Sequence, residues 1–159
     1  DNNTVMIALA GSITEILSAM KTHSSNAKVQ ENGCGAISNL ALNDTKKASI
    51  VSAGGVTMIL SAMGTHSANA NVQQYCCGAL RNLAVNDYFS AMITTAGGIT
   101  AILSAMTAHS SHANVQEYGC GALSSLAEND NNRTTIAAEG GITTILSAME
   151  THSSNATVQ

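Results

Sequence analysis

Histidine and cysteine are the residues of this chain that could hold a metal or carry thiol chemistry. His23, His66, His109 and His152 stand 43 residues apart, and Cys34, Cys77 and Cys120 keep the same interval. His112 and Cys76 complete the set of five histidines and four cysteines. The interval itself weighs against a shared site. Self-similarity at a fixed period of roughly 20–50 residues marks stacked repeats, and equivalent residues in stacked helices lie ~10 Å apart. Zinc ligands sit ~2.0–2.3 Å from one ion, so the histidine column cannot converge. Disulfides need Cα atoms within ~7 Å, which excludes pairing inside the cysteine column. A bond between the adjacent Cys76 and Cys77 would strain a helix. Free buried thiols are the simplest reading, and they imply a reducing compartment. The chain is therefore expected inside the cell, in the cytoplasm first and the nucleus second.

Other chemistry is absent from the pattern. His109 and His112 share a loop but lack a third ligand. The histidine column falls at a helix end, where an imidazole can cap carbonyls or favour the helix dipole. No Gly-x-Ser-x-Gly elbow, Walker loop or His-Glu-x-x-His occurs, and the acidic residues are scattered. No catalytic residue, metal or cofactor is expected, and the chain reads as non-enzymatic. Net charge is −4 with six Lys and Arg. Lys46-Lys47 is the nearest thing to a basic cluster and reads as a solvated helix face, so no nucleic-acid partner is expected. Apolar runs fall far short of the ~20 residues of a membrane span. Residues 1–10 show neither a basic n-region nor a long apolar h-region, so no signal peptide is visible. Sequons at Asn2, Asn43, Asn132 and Asn155 are what chance gives in a chain so rich in Asn, Ser and Thr.

What must position these residues is a repeated helical unit. Apolar residues make up 45% of the 159, aromatics 3%, and proline is absent. The apolar mass is Ala, Leu, Ile and Met, which favour helices. The 43-residue interval divides the chain into units 1–43, 44–86 and 87–129 and a truncated 130–159. Each unit offers three helical stretches. The first is short, as in Thr45–Ser52, and follows an Asn-Asp pair whose Asp is the expected N-cap. It ends at a corner such as Ala53-Gly54-Gly55, where glycine can take the left-handed conformation. The second carries Ile13, Ile16, Leu17 and Met20, repeated as Val56/Ile59/Leu60/Met63, Ile99/Ile102/Leu103/Met106 and Ile142/Ile145/Leu146/Met149. Spacing of i, i+3, i+4, i+7 places each set on one buried stripe, and the methionines read as core filling. The third stretch is the longest, about residues 27–42, 70–85 and 113–128.

These residues resemble the armadillo repeat. The likeness rests on the short helix, the Gly-Gly corner, the Ile-x-x-Ile-Leu helix and the run Val-Gln-Glu…Gly-Cys-Gly-Ala-Leu-x-Asn-Leu-Ala. It covers the whole chain. HEAT repeats use two helices and lack the Gly-Gly corner. The resemblance implies an all-α, right-handed α-solenoid whose third helices line a concave groove. Members similar to importin-alpha and beta-catenin bind extended peptides there. In importin-alpha-like repeats a Trp-Ala-Leu-Ser-Asn motif supplies an asparagine for the peptide backbone. Ala-Ile-Ser-Asn and Ala-Leu-Arg-Asn put that residue at Asn39 and Asn82, and Ala-Leu-Ser-Ser puts Ser125 there in the next copy. The Trp position holds Gly35, Gly78 and Gly121, so the tryptophan-lined site is not expected. Thr14, Thr57, Thr100 and Thr143 replace the usual proline of the second helix.

On the third helix, positions 32, 35, 39 and 42 share a face. Its copies are Asn32/Gly35/Asn39/Leu42, Tyr75/Gly78/Asn82/Val85 and Tyr118/Gly121/Ser125/Glu128. Mid-helix glycine costs roughly 1 kcal/mol relative to Ala. In register it serves either close packing of neighbouring third helices, as nearby Gly33 and Gly119 also suggest, or a trough for a ligand. Asn39 and Asn82 can bond a peptide backbone or tie one repeat to the next. Tyr75 and Tyr118 are the stronger binding candidates, since Tyr is favoured at interaction surfaces. Arg81 is the basic spot near the groove, either meeting a carboxylate or simply solvated. The expected function is protein binding, of an extended peptide or partner helix, through Asn32, Asn39, Tyr75, Arg81, Asn82, Tyr118 and Ser125. The alternative is an architectural subunit of a large assembly. A free-standing solenoid needs polar end units, and these ends are as apolar as the middle. A fragment is therefore expected, with more repeats or other subunits at both ends.

Overall fold

A computed structural model describes residues 2–158, with side chains from Gly11 onward. The described residues form ten helices and no strand: α1 (Asn2–Thr22), α2 (Ala27–Leu40), α3 (Asp44–Ser52), α4 (Gly55–Thr65), α5 (Ala70–Leu83), α6 (Asp87–Thr95), α7 (Gly98–Ala108), α8 (Ala113–Leu126), α9 (Asp130–Ala138) and α10 (Gly141–Thr151). Short helices begin at Asp44, Asp87 and Asp130, middle ones at Gly55, Gly98 and Gly141, and long ones at Ala27, Ala70 and Ala113. The long helices end at Leu40, Leu83 and Leu126, two residues before the expected 42, 85 and 128. Leu42, Val85 and Glu128 thus fall in the turns that follow, and each is exposed.

The cap of each short helix is asparagine rather than the expected aspartate. Oδ1 of Asn43 accepts from Lys46 N, that of Asn86 from Phe89 N, and that of Asn129 from Asn131 N and Asn132 N. Asp44, Asp87 and Asp130 occupy the first helical position, where their charge favours the dipole. The basic pair also differs from expectation. Lys47 is only 7% exposed, and its Nζ bonds Asp44 Oδ1 at 2.7 Å. A long stem can be buried in this way while the ammonium reaches an exposed carboxylate.

The glycine corners bend α3 against α4 by 71° and α6 against α7 by 68°. Gly54, Gly97 and Gly140 have φ of +85°, +88° and +83°. The second glycine is needed for space, since a Cβ on Gly55 or Gly98 would lie 2.8 Å from the carbonyl oxygen of Ile50 or Ile93. The first unit departs from the three-helix expectation here. Gly11-Ser12 stands in place of Gly-Gly, and α1 runs unbroken from Asn2 to Thr22. A serine Cβ does not fit the bend, so the helix continues.

Helix α5 packs along both α2 and α8, while α1, α4 and α7 lie against α2, α5 and α8. One apolar core runs through the stack, built from the Ile59/Ile102 stripe, Val72/Val115, Leu80/Leu123 and Ile50/Ile93/Ile136. Burying each such side chain stabilises by roughly 1.5–3 kcal/mol. The fourth stripe does not follow the others: Ile142 is 60% exposed, whereas Ile99, on α7 with α10 packed against it, is 1% exposed. Leu146 is exposed in the same way.

A polar seam closes each corner between middle and long helices. Gln30, Gln73 and Gln116 are buried, and each Nε2 donates to two carbonyls of the preceding helix end. The acceptors are Met20 and His23 (2.8 and 3.0 Å), Met63 and His66 (3.0 and 2.9 Å), and Met106 and His109 (2.9 and 3.0 Å). Helix ends leave carbonyls without intrahelical partners, and one amide satisfies two of them.

Candidate partner-binding face

Seven residues were expected on the exposed face of the long helices, and the fold distributes them among several roles. Tyr75 (α5) is 38% exposed, with its ring over Gly35 of α2. A Cβ on Gly35 would lie 3.4 Å from Tyr75 Cδ1, and one on Gly78 would lie 3.4 Å from Tyr118 Cδ1. The in-register glycines are therefore seats for the next unit's tyrosine, which also leaves Tyr118 half-buried. Gly121 is covered from the other side, by the exposed Arg81. Gly33 and Gly119 do not serve contacts between long helices as expected. They face Met20 and Met106, with a Cβ at either coming within about 2.7 Å of sulfur.

Asn82 ties one unit to the next. Its Nδ2 donates to Ser38 O at 2.9 Å and Ser38 Oγ at 3.3 Å. Asn39 is exposed, as is Asn32 beside Val29 and Ala36 at the α1–α2 edge. Ser125 is half-buried. Tyr75, Arg81 and Asn39 thus face solvent, whereas the Asn82 amide is withdrawn into the stack.

Two apolar residues in the turns after the long helices are exposed as well. Leu42 is 71% exposed, and Val85 is exposed in the same turn one unit on. Tyr88, at the start of α6, is 69% exposed, with its ring 5.7 Å from that of Phe89. Sequence reasoning left Tyr88 out because position 88 lies on no helical stripe. The signal was compositional, since it is one of only three tyrosines.

The histidine column binds neighbouring corners together rather than capping its own helix. Nε2 of His66, His109 and His152 lies 2.7, 2.7 and 2.8 Å from the carbonyl oxygens of Ser24, Ser67 and Ser110. A carbonyl only accepts, so each Nε2 carries its proton. His109 and His112 stack edge to face at 5.5 Å. No group of three or more His, Cys, Asp or Glu that could hold a metal occurs among the described residues.

All four cysteines are free. Burial pushes the Cys77 thiol up to about 12 and raises Cys120. Cys76 is raised well above the ordinary range by burial and then by its contact with Cys34. Cys34 Sγ and Cys76 Sγ are 3.0 Å apart. They belong to different columns of the repeat, a pairing that comparison within one column does not reach. No single helix among the described residues is long and apolar enough to cross a membrane.

Comparison with solved structures finds the crystal structure of an engineered protein from the Northeast Structural Genomics Consortium. It has a TM-score of 0.79 at 25% sequence identity, over 94% of this chain and 58% of that one. The chain thus spans less than two thirds of that protein's length. No curated protein matches the sequence. The family described as LRRK2 ARM repeat matches residues 10–159. With ten helices in the stacked order of such repeats behind that match, the chain belongs to this armadillo-type repeat family, typically a non-catalytic protein-interaction fold.

Proposed function

We propose that the chain is a non-enzymatic protein-binding module whose long helices α2, α5 and α8 line the concave groove of a right-handed solenoid. The 43-residue units 1–43, 44–86, 87–129 and 130–159 are its building blocks, and an extended peptide or partner helix lies along the groove. The exposed Tyr75 ring, seated on Gly35, carries this reading. A rigid, half-seated tyrosine loses little freedom on binding and offers both a flat apolar face and a hydroxyl. Arg81 and Asn39 supply the polar contacts beside it. The free thiols support a reducing, cytoplasmic setting.

The test compares wild type with Asn39→Ala/Tyr75→Ala/Arg81→Ala, by partner capture after cross-linking and by thermal unfolding. Recovery should fall at least about 10-fold, since central aromatic and Arg anchors carry most of an interface's energy. The unfolding midpoint should stay near that of wild type. Undiminished recovery overturns the groove reading. It would favour the second reading, an architectural subunit held by other faces, for which the exposed Ile142 and Leu146 of α10 speak.

A further inference from the structure

One pair of thiols meets inside the stack without serving the seams described above. Cys34 of α2 and Cys76 of α5 are 42 residues apart in sequence and 3.0 Å apart at sulfur. Neither has exposed surface. The pair is not a by-product of repetition. Cys76 stands where the neighbouring units have Gly33 and Gly119. One unit further on, the equivalents of Cys34 and Cys76 are Cys77 and Gly119, so this pairing of columns supplies two sulfurs only between the first two units.

We propose that Cys34 and Cys76 form a reversible oxidation site, closing a disulfide that staples α2 to α5 when the chain meets a peroxide. The sulfurs must close by about 1 Å to reach the ~2.05 Å of a disulfide, a shift within reach of small side-chain rotations. One thiol gives up its proton and attacks a peroxide oxygen. The O–O bond breaks, the sulfur becomes a sulfenic acid and the departing oxygen leaves as water. The second thiolate attacks that sulfur and displaces hydroxide, which takes up a proton as a second water. Two thiols thus lose two electrons and two protons, and one hydrogen peroxide becomes two waters. Burial makes the step slow in the native state, with access through local opening of the α2–α5 seam. The bond would lie directly beneath the groove, because Cys34 precedes Gly35 and Cys76 follows Tyr75. It fixes the spacing at the place where the Tyr75 ring rests on Gly35. Nothing in this chemistry requires that the groove bind a partner.

The experiment treats the full chain with hydrogen peroxide, natively and during refolding from urea, and reads intact mass, linked peptides and thermal midpoint. Expected are a loss of about 2 Da for the two hydrogens removed, a linked peptide joining Cys34 to Cys76, and a higher midpoint, all reversed by dithiothreitol. Cys34→Ala and Cys76→Ala should each abolish the bond, while Cys77→Ala and Cys120→Ala should keep it. The proposal is overturned if no such mass loss appears under either regime. It is equally overturned if the bond maps to Cys77 or Cys120, or if Cys34 and Cys76 only gain oxygen irreversibly.

Discussion

At the scale of single residues, the buried amides of Gln30, Gln73 and Gln116 matter more than their polarity suggests. Each Nε2 serves two carbonyls at the end of the preceding helix, seven and ten residues back in sequence. Gln73→Ala would leave Met63 O and His66 O without that donor inside the stack. A lost donor at a buried carbonyl costs about 1–3 kcal/mol, so the variant should lose roughly 2–4 kcal/mol in urea unfolding. Gln73→Glu should lose at least as much, because it sets an acceptor against two acceptors. A cost below about 0.5 kcal/mol for either variant would show that the seam is not structural. None of this is legible in the sequence, where a glutamine beside Glu or Gln in a helix looks like solvated surface. The same blindness affects Lys47, whose neighbour Lys46 is indeed less buried. It affects the caps as well, since Asn and Asp are adjacent and both are good N-caps. Periodicity locates a residue on a face, but it does not say which helix end that face meets.

At the scale of elements, helix types, order and apolar stripes are readable because they rest on local spacing, and the third helices differ from expectation only at their ends. Periodicity continues to Leu42 and Val85, yet the chain turns at Ala41 and Ala84. The first unit lacks the expected corner for a steric reason. Gly11-Ser12 differs from Gly-Gly by a hydroxymethyl group, and a Cβ at the second position of the bent corners meets a carbonyl oxygen. This makes the two glycines of a corner unequal. Gly97 has φ +88° with open space where a Cβ would stand, so Gly97→Ala should cost only the left-handed penalty of about 1–2 kcal/mol. Gly98→Ala adds contact with Ile93 O at 2.8 Å. It should cost more than Gly97→Ala, and the α6–α7 bend should relax toward the unbroken form seen in α1. Gly64→Ala is the control. Its Cβ meets nothing, and it should stabilise α4 by about 0.5–1 kcal/mol. Chemical denaturation ranks the three variants, and equal costs at Gly97 and Gly98 would refute the steric account.

At the scale of the whole molecule, a stack of similar units draws its stability from each unit and from the interfaces it shares with its neighbours. Sequence identity between copies suggests equal contributions, and burial shows otherwise. Ile99 and Ile142 are equivalent in the repeat, yet one is enclosed on a helix with α10 packed against it and the other faces water. The same residue type therefore carries different weight according to its place in the stack. Ile99→Ala should cost about 2–5 kcal/mol, the range for a fully buried isoleucine. Ile142→Ala should cost well under half of that, because water already reaches the side chain it removes. The gradient extends to dynamics. Helix α5 has long-helix neighbours on both sides, whereas α10 has an uncovered stripe. Opening α10 exposes little new apolar surface, so its amides should exchange hydrogen fastest among the middle helices, and those of α5 slowest of all. Uniform exchange across α4, α5, α7 and α10 would mean that the stack opens as one cooperative block. A graded pattern, with Ile99→Ala far costlier than Ile142→Ala, would mean that the interfaces between units, rather than the units themselves, hold the solenoid together.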